Sequence, residues 1–267
     1  MKTNDILSEI IENKRFEVDF QKRSIPQEEL QDRIEAKFHD PVSMRESLAR
    51  STSGIIAEFK RRSPSKGWIK QDARIEDIIP AYKKAGASAL SILTDEKFFG
   101  GTLMDLRTAR PLVDIPILRK DFIIDEYQLY QAKIVGADAV LLIAAALEKE
   151  KCRELTEKAH QIGLEVLLEI HSESELVYIT PETDMVGINN RNLGTFYTNV
   201  HNSFRLAELL PQNTLPVSES GISDPDTVRQ LRRHGFRGFL IGEAWMQTVD
   251  PGETLSTFIH QLKSSPL

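Results

Sequence analysis

The sequence predicts an α/β protein that folds as one closed (β/α)8 barrel, a TIM barrel, with an N-terminal helical extension. Eight short runs rich in Val, Ile and Leu alternate with longer amphipathic stretches, as in parallel strands joined by helices. The units recur at roughly 22–30 residues, a regularity that favours closure over the open doubly wound sheet, the main alternative. The length of 267 residues also fits one such barrel, which typically needs about 250 residues.

The predicted strands are apolar along their whole length rather than at alternate positions, as in "DAVLLIA" (138–144). This pattern is typical of parallel strands that are buried on both faces. The predicted strands are 54–60, 89–94, 115–120, 138–144, 164–170, 184–190, 215–220 and 238–242.

Helical patterns fill the gaps between these strands, and local signals mark several helix ends. Glycine follows the pattern in "KKAGAS" and "IVGAD", where a left-handed residue ends a helix. Asp224 and Pro225 combine an N-cap with proline at the first helical position. The predicted helices span about 75–85, 103–110, 125–135, 148–162, 173–179, 202–210, 225–234 and 252–263.

About 50 residues precede the first strand and belong to no β/α unit. We therefore divide the chain into an extension (1–50) and the barrel (51–267), which together form one structural domain. The segments "NDILSEIIENKRFEVDFQ" and "PQEELQDRIEAKF" each have the periodicity of an amphipathic helix. Periodicity alone is equally consistent with helices that plug the bottom of the barrel and with helices that cover its mouth.

The composition of the chain is that of an ordinary globular protein and gives no indication of a nucleic-acid-binding or membrane protein. The chain is 40% hydrophobic and 28% charged, with a net charge of −6, so nothing in its overall charge favours nucleic acid or an anionic membrane. It has no apolar run near the ~18–20 residues that span a bilayer, and its first residues include acids, unlike a leader peptide. The single cysteine, Cys152, lies in a helical pattern and is expected to be an inert packed thiol. We expect a cytoplasmic protein.

Polar groups concentrate where the predicted strands end. In barrels of this type the carboxyl ends of all strands surround one opening, where the chemistry takes place. One charged strand end is readily explained as solvated surface, but repeated polar ends after apolar strands indicate a shared site. Alternation also places Glu58 and Lys60 on the same face of their strand. The strand ends carry Glu58, Lys60, Arg119, Lys120, Glu169, Asn189, Asn190, Arg191, Ser218, Glu219, Ser220 and Gly242.

The last two predicted strands lead into loops suited to phosphate. "SESGI" and "LIGEAWM" place glycine-permitted loops ahead of helix N-termini, where backbone N–H groups and the helix dipole hold a dianion. Ser63 adds a hydroxyl from the loop after the first strand. Glu243 carries a negative charge, so we expect only its amide to bind the anion while its side chain points away.

Common catalytic signatures are missing: the sequence has no GxGxxG after a strand, no P-loop, no HExxH and no GxSxG. The six histidines lack metal-ligand spacing. His171 follows a strand end, although a packed or solvated role is favoured for it. Phe98, Phe99 and Phe122 lie in loops after strands, where they are equally consistent with pocket walls and loop anchors.

Together these motifs resemble the indole-3-glycerol phosphate synthase family. The resemblance covers about residues 5–262 with the motifs in the same order, and "EFKRRSPS", "RKDF" and "INNRNL" are its most specific parts. It implies that 1-(2-carboxyphenylamino)-1-deoxyribulose 5-phosphate closes to indole-3-glycerol phosphate with loss of carbon dioxide and water. It implies a small phosphosugar substrate and no metal or organic cofactor. We expect a monomer.

The resemblance also implies roles for individual residues. Lys120 would be the general acid on the ketone oxygen and Glu169 the base, with Lys60 as a second acid or a partner of the substrate carboxylate. Which lysine acts at which step stays open. Glu58 and Glu219 would hold the lysines and stabilise the cationic intermediate. Asn189 would bind polar groups of the substrate, and Arg191 would pair with neighbouring glutamates and the substrate.

The resemblance further implies which residues bind the two ends of the substrate. The phosphate would be bound by Ser63, Lys60, Ser220, Gly221, Gly242 and the amide of Glu243. The anthranilate pocket would be lined by Phe99, Phe122, Leu141, Leu240 and Pro64. The extension would cap the mouth.

Two alternatives remain at this stage. One is another phosphosugar barrel, such as the isomerase that makes the precursor of this substrate, which would need a cysteine or aspartate acid–base pair at strand ends. The other is a non-catalytic phosphosugar-binding protein that kept the barrel.

Overall fold

The computed structural model describes residues 6–35, 41–192 and 194–264, and it confirms the predicted barrel. Eight strands close on themselves in the order β1-β8-β7-β6-β5-β4-β3-β2, and every neighbouring pair is parallel. The strands are β1 (Ile55–Phe59), β2 (Ala89–Leu93), β3 (Ile117–Lys120), β4 (Ala139–Ile143), β5 (Glu165–Ile170), β6 (Met185–Asn189), β7 (Pro216–Glu219) and β8 (Gly238–Ile241).

Burial on both faces explains why the strands are continuously apolar. Ile56 of β1 packs inside the barrel with Leu118 and Leu167, whereas its neighbour Ile55 packs outward in the cluster that joins strands to helices. Successive residues therefore enter two different apolar environments, as the alternation of side chains along a strand requires.

The helices surround the barrel, and the local signals act as predicted at several of their ends. Asp224 accepts a hydrogen bond from the amide of Asp226, and Gly86 and Gly136 end their helices in the left-handed conformation. The helices are α1 (Ile6–Ser24), α2 (Gln27–Glu35), α3 (Met44–Arg50), α4 (Ile75–Ala85), α5 (Glu96–Phe99), α6 (Leu103–Ala109), α7 (Glu126–Val135), α8 (Lys149–Gln161), α9 (His201–Ala207), α10 (Pro225–Arg233), α11 (Glu243–Met246) and α12 (Pro251–Ser264).

Short elements differ from the sequence prediction. The segment predicted as a helix over 173–179 is a 3-10 helix, Glu173–Tyr178, and two more 3-10 turns occupy Arg110–Leu112 and Ala144–Ala146. The loop after β1 contains a pair of two-residue antiparallel strands, Arg62–Ser63 and Gly67–Trp68, where the sequence indicated no regular element. Over six residues the period of a 3-10 helix is hard to tell from that of an α-helix, and the two-residue strands are too short to show a period.

The segment before β1 contacts both ends of the barrel. Met44 and Leu48 of α3, which the sequence analysis missed, pack into the barrel interior at the end where the strands begin, and Leu48 lies against Gly238. At the other end, Ile6 and Ile10 of α1 line the cavity at the mouth. Residues 4, 5 and 36–38 of the predicted helices, and 265–267 of the predicted barrel, lie outside the described residues.

A buried ion-pair cluster fastens α1 to the mouth. The Lys14 ammonium lies 2.9 Å from Asp95 and 3.0 Å from Asp121, and 2.7 Å from Glu17 on its own helix. Burial opposes the charge of Lys14, but the carboxylates outweigh it and raise its pKa. Asp121 directly follows Lys120, the last residue of β3, so the cluster ties α1 to the loop that begins at this strand end.

Within the described part of the chain, no helix has both the length and the apolar character needed to cross a membrane.

Candidate active site

One cavity of about 690 Å³ opens at the carboxyl ends of the strands, and residues at the ends of all eight strands contribute to its lining. Every residue to which the family resemblance assigned a role lies on it. These are Glu58, Lys60, Ser63, Pro64, Phe99, Lys120, Phe122, Leu141, Glu169, Asn189, Arg191, Glu219, Ser220, Gly221, Leu240, Gly242 and Glu243. Side chains spread over two-thirds of the sequence therefore face one volume.

On the cavity wall, Lys120 bridges two carboxylates. Its ammonium lies 2.8 Å from Oε2 of Glu169 and 3.0 Å from Oε2 of Glu219, and it donates a hydrogen bond to each. Burial disfavours the charged lysine, but Glu169, Glu219 and Glu58 together raise its pKa above the ordinary value. Lys120 therefore holds a proton at neutral pH and is able to give it to a substrate atom that acquires negative charge.

The two carboxylates on Lys120 differ in their ionisation. Burial opposes the ionised form of both, but for Glu169 the charges of Lys120 and His171 outweigh this and lower its pKa. For Glu219, burial dominates and the nearby Glu169 adds to it, which raises the pKa to about 7. The Lys120 ammonium thus stabilises the ionised form of Glu169 more than that of Glu219. Glu169 is therefore the better candidate for a base at neutral pH.

The raised pKa of Glu219 predicts a pH-dependent stability difference. A carboxyl whose folded pKa is raised contributes stability below its unfolded pKa of 4.5, and this contribution is lost as the pH rises through 7. Glu219→Gln keeps an acceptor for Lys120 but does not titrate. In urea unfolding we expect the variant to match the wild type near pH 5 and to exceed it by about 1–3 kcal/mol at pH 8.

The control for this stability measurement is Glu182→Gln, in an exposed turn, which should show no such trend. A stability difference between Glu219→Gln and wild type that is the same at both pH values would contradict the assignment.

A second lysine–glutamate pair lies on β1 and the loop that follows it. The Lys60 ammonium is 2.5 Å from Oε1 of Glu58, so the two side chains face the cavity together, as strand alternation predicted. The two arginines that follow make structural hydrogen bonds. Arg61 donates to both carboxylate oxygens of Asp105 at 2.8 Å, and Arg62 donates to the backbone carbonyl of Lys97. Of three consecutive cations, only Lys60 lines the cavity in the described part of the chain.

Two other polar strand ends also point away from the cavity. Arg119, next to Lys120, is buried between β3 and α7, where it binds Asp121 and the carbonyl of Gln128. Asn190, next to Asn189, donates to the hydroxyl of Ser218 and to a backbone carbonyl. Strand alternation separates the site residues from these structural neighbours.

Two glycines make room for the buried glutamates. A Cβ atom on Gly187 of β6 would lie 2.0 Å from Oε1 of Glu219, and one on Gly242 would lie 2.5 Å from Oε1 of Glu58. Neither glycine has a left-handed φ angle, so space rather than backbone conformation requires glycine there.

This close approach predicts the effect of Gly187→Ala. The new methyl group would push the Glu219 carboxylate away from Lys120, because neither the strand nor the packed interior has room to move. We expect a loss of about 1–3 kcal/mol in unfolding free energy and a fall in kcat of at least ~10-fold. Gly194→Ala is the matched control, since its Cβ would meet nothing closer than 3.5 Å. Wild-type kcat in the Gly187 variant would show that the position of Glu219 does not matter.

The loops after β7 and β8 and the loop after β1 form a polar end of the cavity. Ser220 and Gly221 both adopt positive φ, 68° and 74°, and Gly242 directly precedes α11. The Glu243 carboxylate pairs with Arg191 at 3.2 Å and with Lys66 at 3.7 Å. Its negative charge is thereby neutralised, and the amides of these loops are the groups suited to an anion.

Part of the cavity lining is apolar. The rings of Phe99 and Phe122 lie 5.9 Å apart between centroids, tilted by 37°. The cavity is also lined by residues that were not predicted from the sequence: Ile6, Leu7 and Ile10 of α1, together with Phe196, Ile222, Ser223 and Gln247. No local signal would have identified the α1 residues, since their position depends on how the extension folds back over the mouth.

His171 lies behind Glu169 rather than on the cavity wall. Its Nε2 is 3.3 Å from Oε1 of Glu169, and its Nδ1 is 3.7 Å from Oε2 of Glu175. Burial alone would lower the pKa of the imidazole, but these carboxylates raise it to about 10. The ring is therefore packed behind Glu169, and its two carboxylate neighbours favour its charged form.

Cys152 is buried in α8, away from the cavity, and burial raises the pKa of its thiol to about 11. Within residues 6–35, 41–192 and 194–264, His, Cys, Asp and Glu side chains form no group of three or more that could hold a metal ion.

Several known proteins are similar to this chain over nearly its whole length. The family model described as indole-3-glycerol phosphate synthase matches residues 7–259. The chain is 71% identical to the indole-3-glycerol phosphate synthase of Bacteroides thetaiotaomicron over 259 residues, which is 97% of this chain and 99% of the relative. It is 42% identical to the enzyme of that name from Burkholderia multivorans, with 95% of this chain and 98% of the relative covered.

Solved structures with the same fold are more distant in sequence. A mutant tryptophan synthase alpha-subunit from Pyrococcus furiosus superposes with a TM-score of 0.59 at 18% identity, covering 79% of this chain and 97% of that one. The alpha subunit from Legionella pneumophila also gives 0.59, at 13% identity, with 82% and 96% covered. At this identity the likeness shows the barrel fold alone.

Proposed function

The chain belongs to the indole-3-glycerol phosphate synthase family, whose members are carboxy-lyases of tryptophan biosynthesis, and from this premise we propose how its site carries out the reaction. The substrate implied by the sequence resemblance has a phosphate at one end and a carboxylated aromatic ring at the other, with a ketone between them. The lining of the cavity supplies a group for each part: glycine-containing loops for the phosphate, the ammonium of Lys120 for the ketone, and apolar side chains for the ring. The observation that carries the proposal is the buried ammonium of Lys120 between two carboxylates.

Lys120 is the proposed general acid for ring closure. The aromatic carbon attacks the ketone carbon, and the ketone oxygen takes a proton from Nζ of Lys120 as negative charge develops on it. Because this lysine is charged at neutral pH, it needs no prior protonation. A positioned acid contributes roughly 10²–10⁴ to the rate.

Glu169 is the proposed base. Loss of carbon dioxide restores one double bond of the ring system, and loss of the hydroxyl group as water requires removal of a proton. Glu169 is ionised at neutral pH and lines the cavity beside Lys120, so it is placed to take that proton. Glu219 and Glu58 add negative charge near the cationic intermediate, and Lys60 serves as second acid or as a partner of the substrate carboxylate.

The remaining residues bind the substrate in this proposal. The phosphate lies on Ser63, Lys60, Ser220 and the backbone of Gly221, Gly242 and Glu243. The aromatic ring lies in the apolar part of the cavity lined by Phe99, Phe122, Leu141, Leu240 and Pro64, with α1 closing the mouth. Asn189 and Arg191 fix the polar groups between these ends. A cytoplasmic monomer is the form in which we expect the protein to work.

The earlier alternative of a precursor isomerase has little support in this cavity. Its acid–base pair would need a cysteine or aspartate at strand ends, but Cys152 lies in α8. Asp121, which follows β3, is already bound by Lys14 and Arg119, and these charges lower its pKa although burial opposes ionisation. It is therefore a poor proton donor.

The test is a direct assay. Purified protein is mixed with 1-(2-carboxyphenylamino)-1-deoxyribulose 5-phosphate, and the fluorescence of the indole product is followed. We expect continuous turnover. The absence of an indole signal at micromolar enzyme, with substrate binding confirmed by calorimetry, would favour the non-catalytic binding protein instead.

A further inference from the structure

His171 is the one charged histidine that contacts a proposed catalytic residue among the described residues. It is the first residue after β5 and lies two positions beyond Glu169, with 13% of its side chain exposed. Glu169 lines the cavity, whereas the ring of His171 lies behind it. Its role is therefore exerted through Glu169 rather than by contact with the substrate.

The carboxylate of Glu169 divides its two oxygens between two cations. Oε2 accepts a hydrogen bond from Lys120 at 2.8 Å, and Oε1 faces Nε2 of His171 at 3.3 Å. A rotation of the carboxylate would lose one contact or both, so the pair of cations fixes the plane of the group.

The surroundings hold His171 in this place. Oε2 of Glu175 accepts a hydrogen bond from the backbone N–H of His171 at 2.5 Å and lies 3.7 Å from its Nδ1. Asn202 of α9 donates to the carbonyl of His171 at 3.1 Å. Hydrogen bonds with two neighbouring helices, through Glu175 and Asn202, thus fix the backbone of His171 and with it the position of the ring.

The charged groups around the ring favour the imidazolium form. They are Glu169 from β5, Glu175 from the 3-10 helix and, on the far side of Glu169, Lys120 from β3; α9 contributes the neutral Asn202. Two carboxylates flank the ring directly, while the ammonium of Lys120 is separated from it by Glu169.

We propose that His171 is a positioning residue, whose imidazolium orients the Glu169 carboxylate and keeps it ionised while Lys120 gives up its proton. The inference rests on the proposed function, which makes Lys120 the acid and Glu169 the base. Once the proton has passed from Nζ of Lys120 to the ketone oxygen, the lysine is a neutral amine and no longer stabilises Glu169. His171 then supplies the remaining positive charge, so Glu169 stays available for the proton that it must later remove.

The charge of His171 can be tested without turnover. In protein labelled with 15N-histidine, the imidazole nitrogens of His171 are assigned by comparison with His171→Asn. We expect both nitrogens to remain protonated at pH 8.5 and the ring to lose its proton near pH 10. A ring that titrates near pH 6.5, as an unperturbed histidine does, would overturn the proposal.

The role of His171 is tested by the pH dependence of kcat/KM. In His171→Asn and His171→Gln, we expect the acidic limb to move up by about one pH unit. At a pH on that limb, kcat/KM of each variant should be about ten-fold below that of the wild type, while KM stays within two-fold. At higher pH, kcat/KM of the variants should return to the wild-type value. His171→Lys, which keeps a positive charge, should return the limb towards the wild-type position. A purely structural role would instead lower the rate equally at every pH.

The matched control is His160→Asn. His160 pairs with Asp184 at 2.7 Å, away from the cavity, so its loss should leave the pH profile unchanged. An acidic limb that stays at the wild-type position in both His171→Asn and His171→Gln would overturn the inference. A third outcome is that the wild-type protein makes no indole product while NMR shows a charged His171. The proposed function would then be wrong, and with it the role of His171 in the reaction, but the ring would still be an imidazolium between Glu169 and Glu175.

Discussion

Lys120→Met should lower kcat by at least ~10²-fold while the substrate still binds. Methionine has a similar length and volume but no proton to donate, so the ketone oxygen would have to carry its developing charge unaided. The binding groups for the phosphate and the aromatic ring lie elsewhere on the cavity wall, so KM should change much less than kcat. The measurement is indole fluorescence under saturating substrate, with binding followed separately by calorimetry.

Two checks make the Lys120 result decisive. Lys149→Met removes an exposed ammonium at the start of α8 and should leave kcat unchanged. Because Lys120 also neutralises two buried carboxylates, circular dichroism must show that the variant is folded at the assay temperature. Wild-type kcat in folded Lys120→Met would remove this residue from the acid role.

Glu169→Gln should also lower kcat by at least ~10²-fold. The amide has nearly the same shape and its oxygen can still accept a hydrogen bond from Lys120, so the site should keep its geometry. It is not able to take up the proton that leaves during dehydration, and it is not negatively charged. We therefore expect substrate affinity close to that of the wild type and a loss confined to kcat.

The control for Glu169→Gln is Glu208→Gln, at the exposed end of α9, which changes the same chemical group without touching the cavity. A variant that retains full turnover would show that another group removes the proton. A rise in KM with kcat unaltered would instead assign Glu169 to substrate binding.

The sequence predicted the barrel and the strand-end residues because both depend on local patterns. Eight apolar runs separated by helical periods leave few other topologies, and the barrel brings every strand end to one mouth. Alternation then explains why Lys120 faces the cavity while Arg119 does not. The roles of these residues as acid, base or substrate-binding group came from the family resemblance, because the spacing of residues alone does not reveal them.

Other features depend on contacts that no local pattern reveals. The contribution of Ile6 and Ile10 to the cavity requires α1 to fold back over the mouth, and the Lys14 cluster that holds it joins residues far apart in sequence. Gly187 looked like an ordinary strand residue, yet its missing side chain makes room for Glu219. The charge of His171 likewise depends on Glu169 and Glu175, which surround its ring only in the folded chain.

The most direct measurement is a crystal structure of folded Lys120→Met with 1-(2-carboxyphenylamino)-1-deoxyribulose 5-phosphate bound. We predict the phosphate on the amides of Gly221 and Gly242, the aromatic ring against the side chains of Phe99 and Phe122, and the ketone oxygen beside the methionine side chain, within about 3.5 Å of where the lysine ammonium would lie. A substrate bound outside the mouth, or one whose ketone points away from residue 120 and from Glu169, would contradict a reaction carried by these strand ends.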